Sequence, residues 1–345
     1  MASPPVSLRR YLVRDDRGLL VAHALAVEVR RSRIPSPRGV GWPSVGVVIP
    51  TRDRPNLLRR ALASVLDQDY RGPVRVVVVF DGPAPDWRLA VGGRRPVLVL
   101  GNWRTPGPAG SRNCGILAAA DCELVAFCDD DDVWSPTKLT AQISAMRARP
   151  GTLFATCAVE VEYDGRRTAR LAGVDRFCVG DLAGTPVCLP RRSGFVARQW
   201  ALATDPDADG IGLFAEDAPT GLGEDWDLLL RAARRHPITH VDAPLVRVLW
   251  RRCPGVEDEG ARQVRGLRWM MAKHPEISEC ASAAARVYGE IAYWEAAGGN
   301  RAAAWAWVRA ALRTRWYEPR VVQALGAIAG LLRPDARLAR VDYRA

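Results

Sequence analysis

The sequence predicts an α/β fold with a mostly parallel sheet flanked by helices, followed by an all-helical C-terminal region. Three observations carry that expectation. Short apolar runs recur near residues 44–50, 74–80, 96–100 and 123–129, as strands buried on both faces do. Helical stripes and loops alternate with them, which implies βα units and parallel pairing. From about Glu257 the periodicity is helical to the end of the chain, near 259–273, 278–297, 300–314 and 318–332.

Residues 1–43 read as an N-terminal extension, with a β-ribbon turning at "DDRG" and a closing loop, "PSPRGVGWP". Asp15 and Asp16 interrupt the one stretch that approaches a secretion signal. "SVGVVIP" is the first buried strand. "PNLLRRALASVLDQ" follows as a helix, with Pro55 in its first turn and Leu57, Leu58, Ala61, Leu62, Val65 and Leu66 along one stripe. "VRVVVVF", "PVLVL" and "ELVAFCD" supply three more strands. Past residue 150 the pattern becomes short strands and loops, with a polar stretch over 203–223, until "GEDWDLLLRAARR" reads as a helix. The piece from Ala285 to Pro319 has the Tyr, Gly and Ala spacing of one tetratricopeptide-like helix pair, but a single copy makes no array. The expected organisation is therefore an extension over 1–43, an α/β domain over 44–255 and a capping helical region over 256–345.

Composition narrows the function classes. With 345 residues, 48% of them hydrophobic, the chain can bury a large core, which excludes a disordered protein. The net charge of +11 is almost all arginine, since Lys138 and Lys273 are the only lysines. Those arginines are spread along the chain instead of forming one basic block, so no nucleic-acid partner is expected. Eight cysteines show no C-x-x-C pair and no framework, which fits reduced thiols in a cytoplasmic protein. No window reaches the ~18 apolar residues of a spanning helix.

In open parallel sheets, ligands bind beyond the carboxyl ends of the strands. Each predicted strand ends there in a polar group: Thr51 and Asp53, then Asp81, then Asn102, then the run Asp129, Asp130, Asp131 and Asp132 in "LVAFCDDDDVWSP". An acidic turn before a helix accounts for one or two acids, with Ser135 and Pro136 opening that helix. Four adjacent carboxylates repel one another unless a cation sits among them. A hard ion, Mg²⁺ or Mn²⁺, resolves this with one or two carboxylates, and the substrate's phosphates complete its shell. No Walker A loop or G-x-G-x-x-G follows the first strand. "GPAGSRNCG" instead offers Arg112 as a phosphate or nucleotide contact.

The ordered segments "VVIPTRDRPNLLRRALASVLDQ", "VVVVFDG", "GPAGSRNCGILAAADCELVAFCDDDDVWSPTKL" and "GLGEDWDLLLRAA" resemble a family 2 glycosyltransferase of GT-A fold, over roughly residues 44–255. The resemblance implies that the aspartate run binds metal and nucleotide diphosphate, with Asp131 and Asp132 as metal ligands and Asp129 and Asp130 toward the nucleotide sugar. It implies donor contacts from Thr51, Asp53, Asp81 and Arg112, and a general base at Asp225 with Glu224 beside it. Gly221 and Gly223 would let the backbone approach a bound sugar, and Trp134 and Trp226 adjoin the two acidic motifs. The implied reaction is a single, inverting transfer from a nucleotide sugar, UDP-linked by expectation, to an acceptor hydroxyl. "FDGP" departs from the family's two acids and a serine, which loosens the donor base. "QVRGLRW" has the letters of a processive motif at the wrong spacing, which favours single transfers. The basic balance suits a polyprenyl-phosphate or cell-envelope acceptor at the inner face of a membrane, and equally a soluble natural-product scaffold. Two other readings stand beside this one: a nucleotidyltransferase of similar layout, and a catalytically silent sugar-nucleotide or protein-binding module.

Overall fold

A computed structural model describes residues 11–14, 20–23, 41–82, 84–184, 190–219, 223–250 and 259–331. The extension contributes an antiparallel ribbon, β1 (Tyr11–Arg14) with β2 (Leu20–His23); the expected turn at "DDRG" lies outside the described residues. The α/β unit begins with β3 (Val45–Thr51), α1 (Pro55–Leu66), β4 (Val74–Phe80), β5 (Val97–Gly101), α2 (Pro108–Ala118) and β6 (Leu124–Phe127). It continues through β7 (Val133–Trp134), α3 (Lys138–Ala148), β8 (Phe154–Tyr163), β9 (Arg166–Arg170), β10 (Arg176–Phe177) and α4 (Val179–Gly184). β11 (Val196–Arg198), α5 (Gln199–Ala203), α6 (Glu224–Arg235) and β12 (Ile238–Leu249) complete it.

One ten-stranded sheet carries the order β10-β12-β8-β11-β6-β3-β4-β5, with β7 on β12 and β9 on β8. β6, β3, β4 and β5 are parallel, as the alternation of strand and helix predicts. β11 enters antiparallel between β6 and β8, so the sheet as a whole is mixed. The run "VVVV" of β4 is apolar throughout because both faces are covered. Val76 and Val78 face a core with Leu58, Ala61 and Val65 of α1, while Val77 and Val79 face a core with Cys114 and Ile116 of α2.

The sequence reading misses the two longest strands. β8 and β12 run for ten and twelve residues and pair in parallel, where short strands and loops were expected. β12 hides from pattern reading because Pro244 and register shifts on either side of it break the alternation.

α2 sits unusually close to β3, and its glycines explain how. A Cβ on Gly115 would lie 2.2 Å from a Val48 methyl, and one on Gly110 would meet the Thr105 carbonyl oxygen. Gly107 precedes the helix at a φ of 122°, so "GPAGSRNCG" is both the turn that opens α2 and the surface that packs it.

The C-terminal helices are α7 (Glu259–Lys273), α8 (Pro275–Glu279), α9 (Ala281–Ala297), α10 (Arg301–Thr314) and α11 (Pro319–Ile328). They share a core with the sheet: Trp226 and Leu229 of α6 belong to the same cluster as Met270, Ile277, Val287 and Ile291. A buried polar junction adds specificity. Asp227, fully buried, accepts from Arg231 at 2.7 Å and His274 at 3.0 Å, with Lys273 at 3.1 Å. Burial alone would raise its carboxyl, but these partners outweigh it and hold Asp227 well below the usual range. Among the described residues no helix is long and apolar enough to cross a membrane.

Gly115→Ala is expected to lower stability by about 2 kcal/mol through overpacking against Val48, measured as a shift in urea midpoint at unchanged slope.

Candidate functional site

β3 is flanked by β4 on one side and β6 on the other, so the connections leave it in opposite directions and open a crevice at the carboxyl ends of β3 and β6. Two expected site residues meet across that crevice. Thr51, the last residue of β3, donates its hydroxyl to Asp130 at 2.8 Å, and both are buried. Arg54, in the loop before α1, reaches Asp130 at 3.2 Å and Asp131 at 2.9 Å.

The four aspartates have four different environments. Burial would raise Asp129, but Arg112 at 2.6 Å and Arg192 at 3.3 Å outweigh it and hold this carboxyl well below its ordinary value. Asp130 is raised by burial, against the pull of Thr51 and Arg54. Asp131 is raised by burial and by the charge of Asp129, and its side chain is the most exposed of the four at 30%. Asp132 is buried and accepts from the Ser193 hydroxyl at 2.5 Å, and that same oxygen receives the Asp129 backbone N–H at 2.8 Å. Burial and the Asp129 charge push Asp132 well up. Three carboxylates raised together at one strand end form a donor set short of positive charge, which suits a hard cation. Among the described residues, no three His, Cys, Asp or Glu side chains converge into a closed metal cage.

Arg192 connects this run to the second acidic motif. It lies in the turn Arg192–Gly194 just before β11, and its guanidinium contacts Asp129, Glu224 at 3.2 Å and Asp225 at 3.5 Å. Burial opposes its charge, yet the three carboxylates raise its pKa and keep it cationic. Arg112, 2% exposed, sits 3.6 Å from Glu224 and 5.5 Å from the Phe214 ring centre. The antiparallel insertion of β11 beside β6 is what carries Arg192 and Ser193 to the end of β6.

The expected catalytic pair shares Arg192 but differs in exposure. Glu224 is fully buried between the two arginines and is raised by burial. Asp225, in the first turn of α6, has a side chain 26% exposed. Gly223 precedes them at a φ of 93°, while Gly221 lies outside the described residues. Asp81, at the end of β4, accepts from the Asn102 amide at 2.8 Å and the Gly107 backbone N–H at 3.0 Å. Asp53 projects into solvent beside Arg52 at a φ of 53°, a left-handed conformation that aspartate tolerates in turns. Trp134 and Trp226 are core supports: Lys138 stacks over Trp134 at 3.8 Å, and the Trp226 N–H donates to the Leu182 carbonyl.

Sequence reasoning missed Arg192, Ser193, Arg54 and the pair Asn113–Glu216. Asn113 bonds the Phe214 backbone in both directions and also Glu216, so α2 fastens the segment that precedes the second acidic motif. The one available signal was the polar "RRSG" before a short apolar run, and in so arginine-rich a chain it does not stand out.

The model of the family described as Glycosyl transferase family 2 matches residues 46–185, the segment holding Thr51, Asp81, Arg112 and all four aspartates. Over this segment, less than half of the chain, the protein is similar to family 2 glycosyltransferases. The chain is 39% identical over 108 residues to the succinoglycan biosynthesis protein ExoW of Rhizobium meliloti, covering 29% of this chain and 33% of that protein. It is 30% identical over 104 residues to WfgD of Escherichia coli, named a UDP-Glc:alpha-D-GlcNAc-diphosphoundecaprenol beta-1,3-glucosyltransferase, covering 30% of this chain and 40% of that protein. The chain thus spans 33% and 40% of these relatives' own length. The mannosyltransferase PcManGT of Pyrobaculum calidifontis, solved with GDP-Man and Mn²⁺, superposes with a TM-score of 0.50 at 16% identity, covering 88% of this chain and 85% of that one. That likeness identifies the fold as GT-A.

Removing Arg192 leaves Glu224 buried with less compensation. Arg192→Met is expected to cost about 3 kcal/mol in urea unfolding. The double variant Arg192→Met with Glu224→Gln should cost clearly less than the sum of the two singles, the non-additivity that marks a direct pair.

Proposed function

We propose that this protein is an inverting, non-processive glycosyltransferase that moves a sugar from a nucleotide sugar, UDP-linked in the first instance, to an acceptor hydroxyl. The observation that carries the reading is the single network running from Asp129 through Arg192 to Asp225, which sets an open carboxylate beside the aspartate run that would take the donor diphosphate. Support for a UDP donor comes from the printed name of WfgD, and support for a divalent ion from the Mn²⁺ in PcManGT.

Each residue has a distinct part in this reading. Asp131, the accessible member of the run, would hold Mg²⁺ or Mn²⁺. Asp132, expected beside it as a ligand, is buried under Ser193 and positions that serine instead. The ion would supply positive charge to the departing diphosphate. Thr51 fixes Asp130 across the crevice, and Asp53 and Asp81 stand at the nucleoside end. Arg112 and Arg192 hold Asp129 ionised and place positive charge close to the phosphates. Asp225 accepts the proton of the acceptor hydroxyl as that oxygen attacks the anomeric carbon; a single displacement inverts it. Glu224, closed off from solvent, fixes both arginines and takes no proton from the acceptor.

The acceptor belongs to a cell-envelope glycan or a natural-product scaffold. WfgD, whose printed name includes a diphosphoundecaprenol acceptor, favours the first and a site of action at a membrane face. A nucleotidyltransferase is disfavoured because the loop after β3, "PTRDRP", has no glycine-rich phosphate cradle.

The test is calorimetric titration with UDP and GDP, with and without Mn²⁺, alongside a donor-consumption assay. UDP binding that requires Mn²⁺ and is lost in Asp131→Ala supports the donor site. Asp225→Asn should keep nucleotide affinity while turnover falls by about 10²–10⁴-fold. If neither nucleotide binds, or if Asp225→Asn retains turnover, the reading fails in favour of a silent binding module or a different base.

A further inference from the structure

α10 and α11 each bury one stripe and leave large apolar side chains beside it partly exposed. Ala304, Val308 and Ala311 of α10, with Val321 and Ala324 of α11, enter the core beside Ile291 and Ala292 of α9. Flanking those stripes are Trp305 at 45%, Leu312 at 41%, Val322 at 64% and Leu325 at 37% exposure, and the connection between the helices presents Trp316 at 86% and Tyr317 at 55%. Large apolar groups at this density are unusual on a surface facing only water.

Charge indicates what covers them. Residues 299–331 hold Arg301, Arg309, Arg313, Arg315 and Arg320 against one acid, Glu318. That acid is buried and accepts from the Arg320 backbone N–H, so it does not offset the arginines at the surface. Arg309, Arg313 and Arg315 are exposed and stand within four residues of Trp305, Trp316 or Tyr317 in the sequence. A face combining tryptophan, tyrosine and leucine with arginine alone matches an interface whose headgroups are negative and whose interior is apolar.

The geometry points to α10 and α11 as a docking face for an anionic lipid bilayer, with Trp305, Trp316 and Tyr317 seated at the headgroup level and the arginines on the phosphates. The face deepens the reading of a membrane-presented acceptor, but its test uses no donor, so its failure and the failure of the transferase reading are distinguishable.

The experiment is flotation of the full chain with vesicles of mixed phosphatidylglycerol and phosphatidylcholine, and with phosphatidylcholine alone. Binding to the anionic vesicles is expected, weakening as salt rises. Trp305→Ala with Trp316→Ala should reduce the partition by on the order of tenfold or more. Arg309→Gln, Arg313→Gln and Arg315→Gln together should reduce it by on the order of a hundredfold. All of these side chains are exposed, and unchanged UDP titration and thermal unfolding check that the variants fold. The proposal is overturned by no vesicle binding, by equal binding to neutral vesicles, or by binding that survives both sets of changes. It is also overturned if those changes dissolve a dimer seen by sedimentation, which would make a second copy the occupant, or if vesicles bind only after residues 332–345 are removed, which would make the chain's own tail the cover.

Discussion

The pairing of Asp129 with Arg112 and Arg192 is the constraint on which the rest of the site depends. Four carboxylates at the end of one buried strand cannot all stay charged without compensation. Two guanidiniums satisfy the first, and burial leaves the other three raised and receptive to a cation. The same arginines meet Glu224, so the end of β6 and the start of α6 are tied by charge although they lie almost a hundred residues apart in sequence. The sheet makes this contact possible by inserting β11 antiparallel beside β6. Without that strand Arg192 and Ser193 would have no route to the aspartates.

What the sequence revealed and what it concealed follow one physical division. The parallel strands, α1 and the C-terminal helices were legible because their signals are local: a stripe such as Leu58, Ala61, Leu62 and Val65 needs only the neighbouring turns to be interpreted. The aspartate run was legible for a different reason, since charge repulsion between adjacent residues requires an explanation whatever the fold. Resemblance to a known family supplied the proposed role of Asp225 and reinforced that of Arg112. Arg192 was hidden because its function arises from a long-range strand insertion, and a single arginine among so many carries no pattern. The resemblance placed the base on Asp225 with Glu224 beside it, without a physical reason to separate the two. The first turn of α6 distinguishes them, pointing one into the arginine pair and leaving the other open.

The helical region is part of the same mechanical unit as the sheet. α6 begins at the second acidic motif, and two turns of it carry Asp227 and Arg231. Asp227 holds His274 and Lys273 of the C-terminal part, while Arg231 donates to the Leu213 carbonyl in the segment that Asn113 also fastens. Asp225 is therefore positioned from the side of the aspartate run by Arg192 and from the helical side by the anchoring of its own helix. Such double support would hold the proposed base within the sub-ångström tolerance that proton transfer demands.

The most direct test of this account is a crystal structure of the complex with UDP and Mn²⁺. The account predicts the ion on Asp131, the diphosphate between it and Arg192, the uracil near Asp81, and Asp225 facing open space beyond the phosphates. A nucleotide bound elsewhere on the chain, or bound here with Asp225 turned away from the diphosphate, would contradict it.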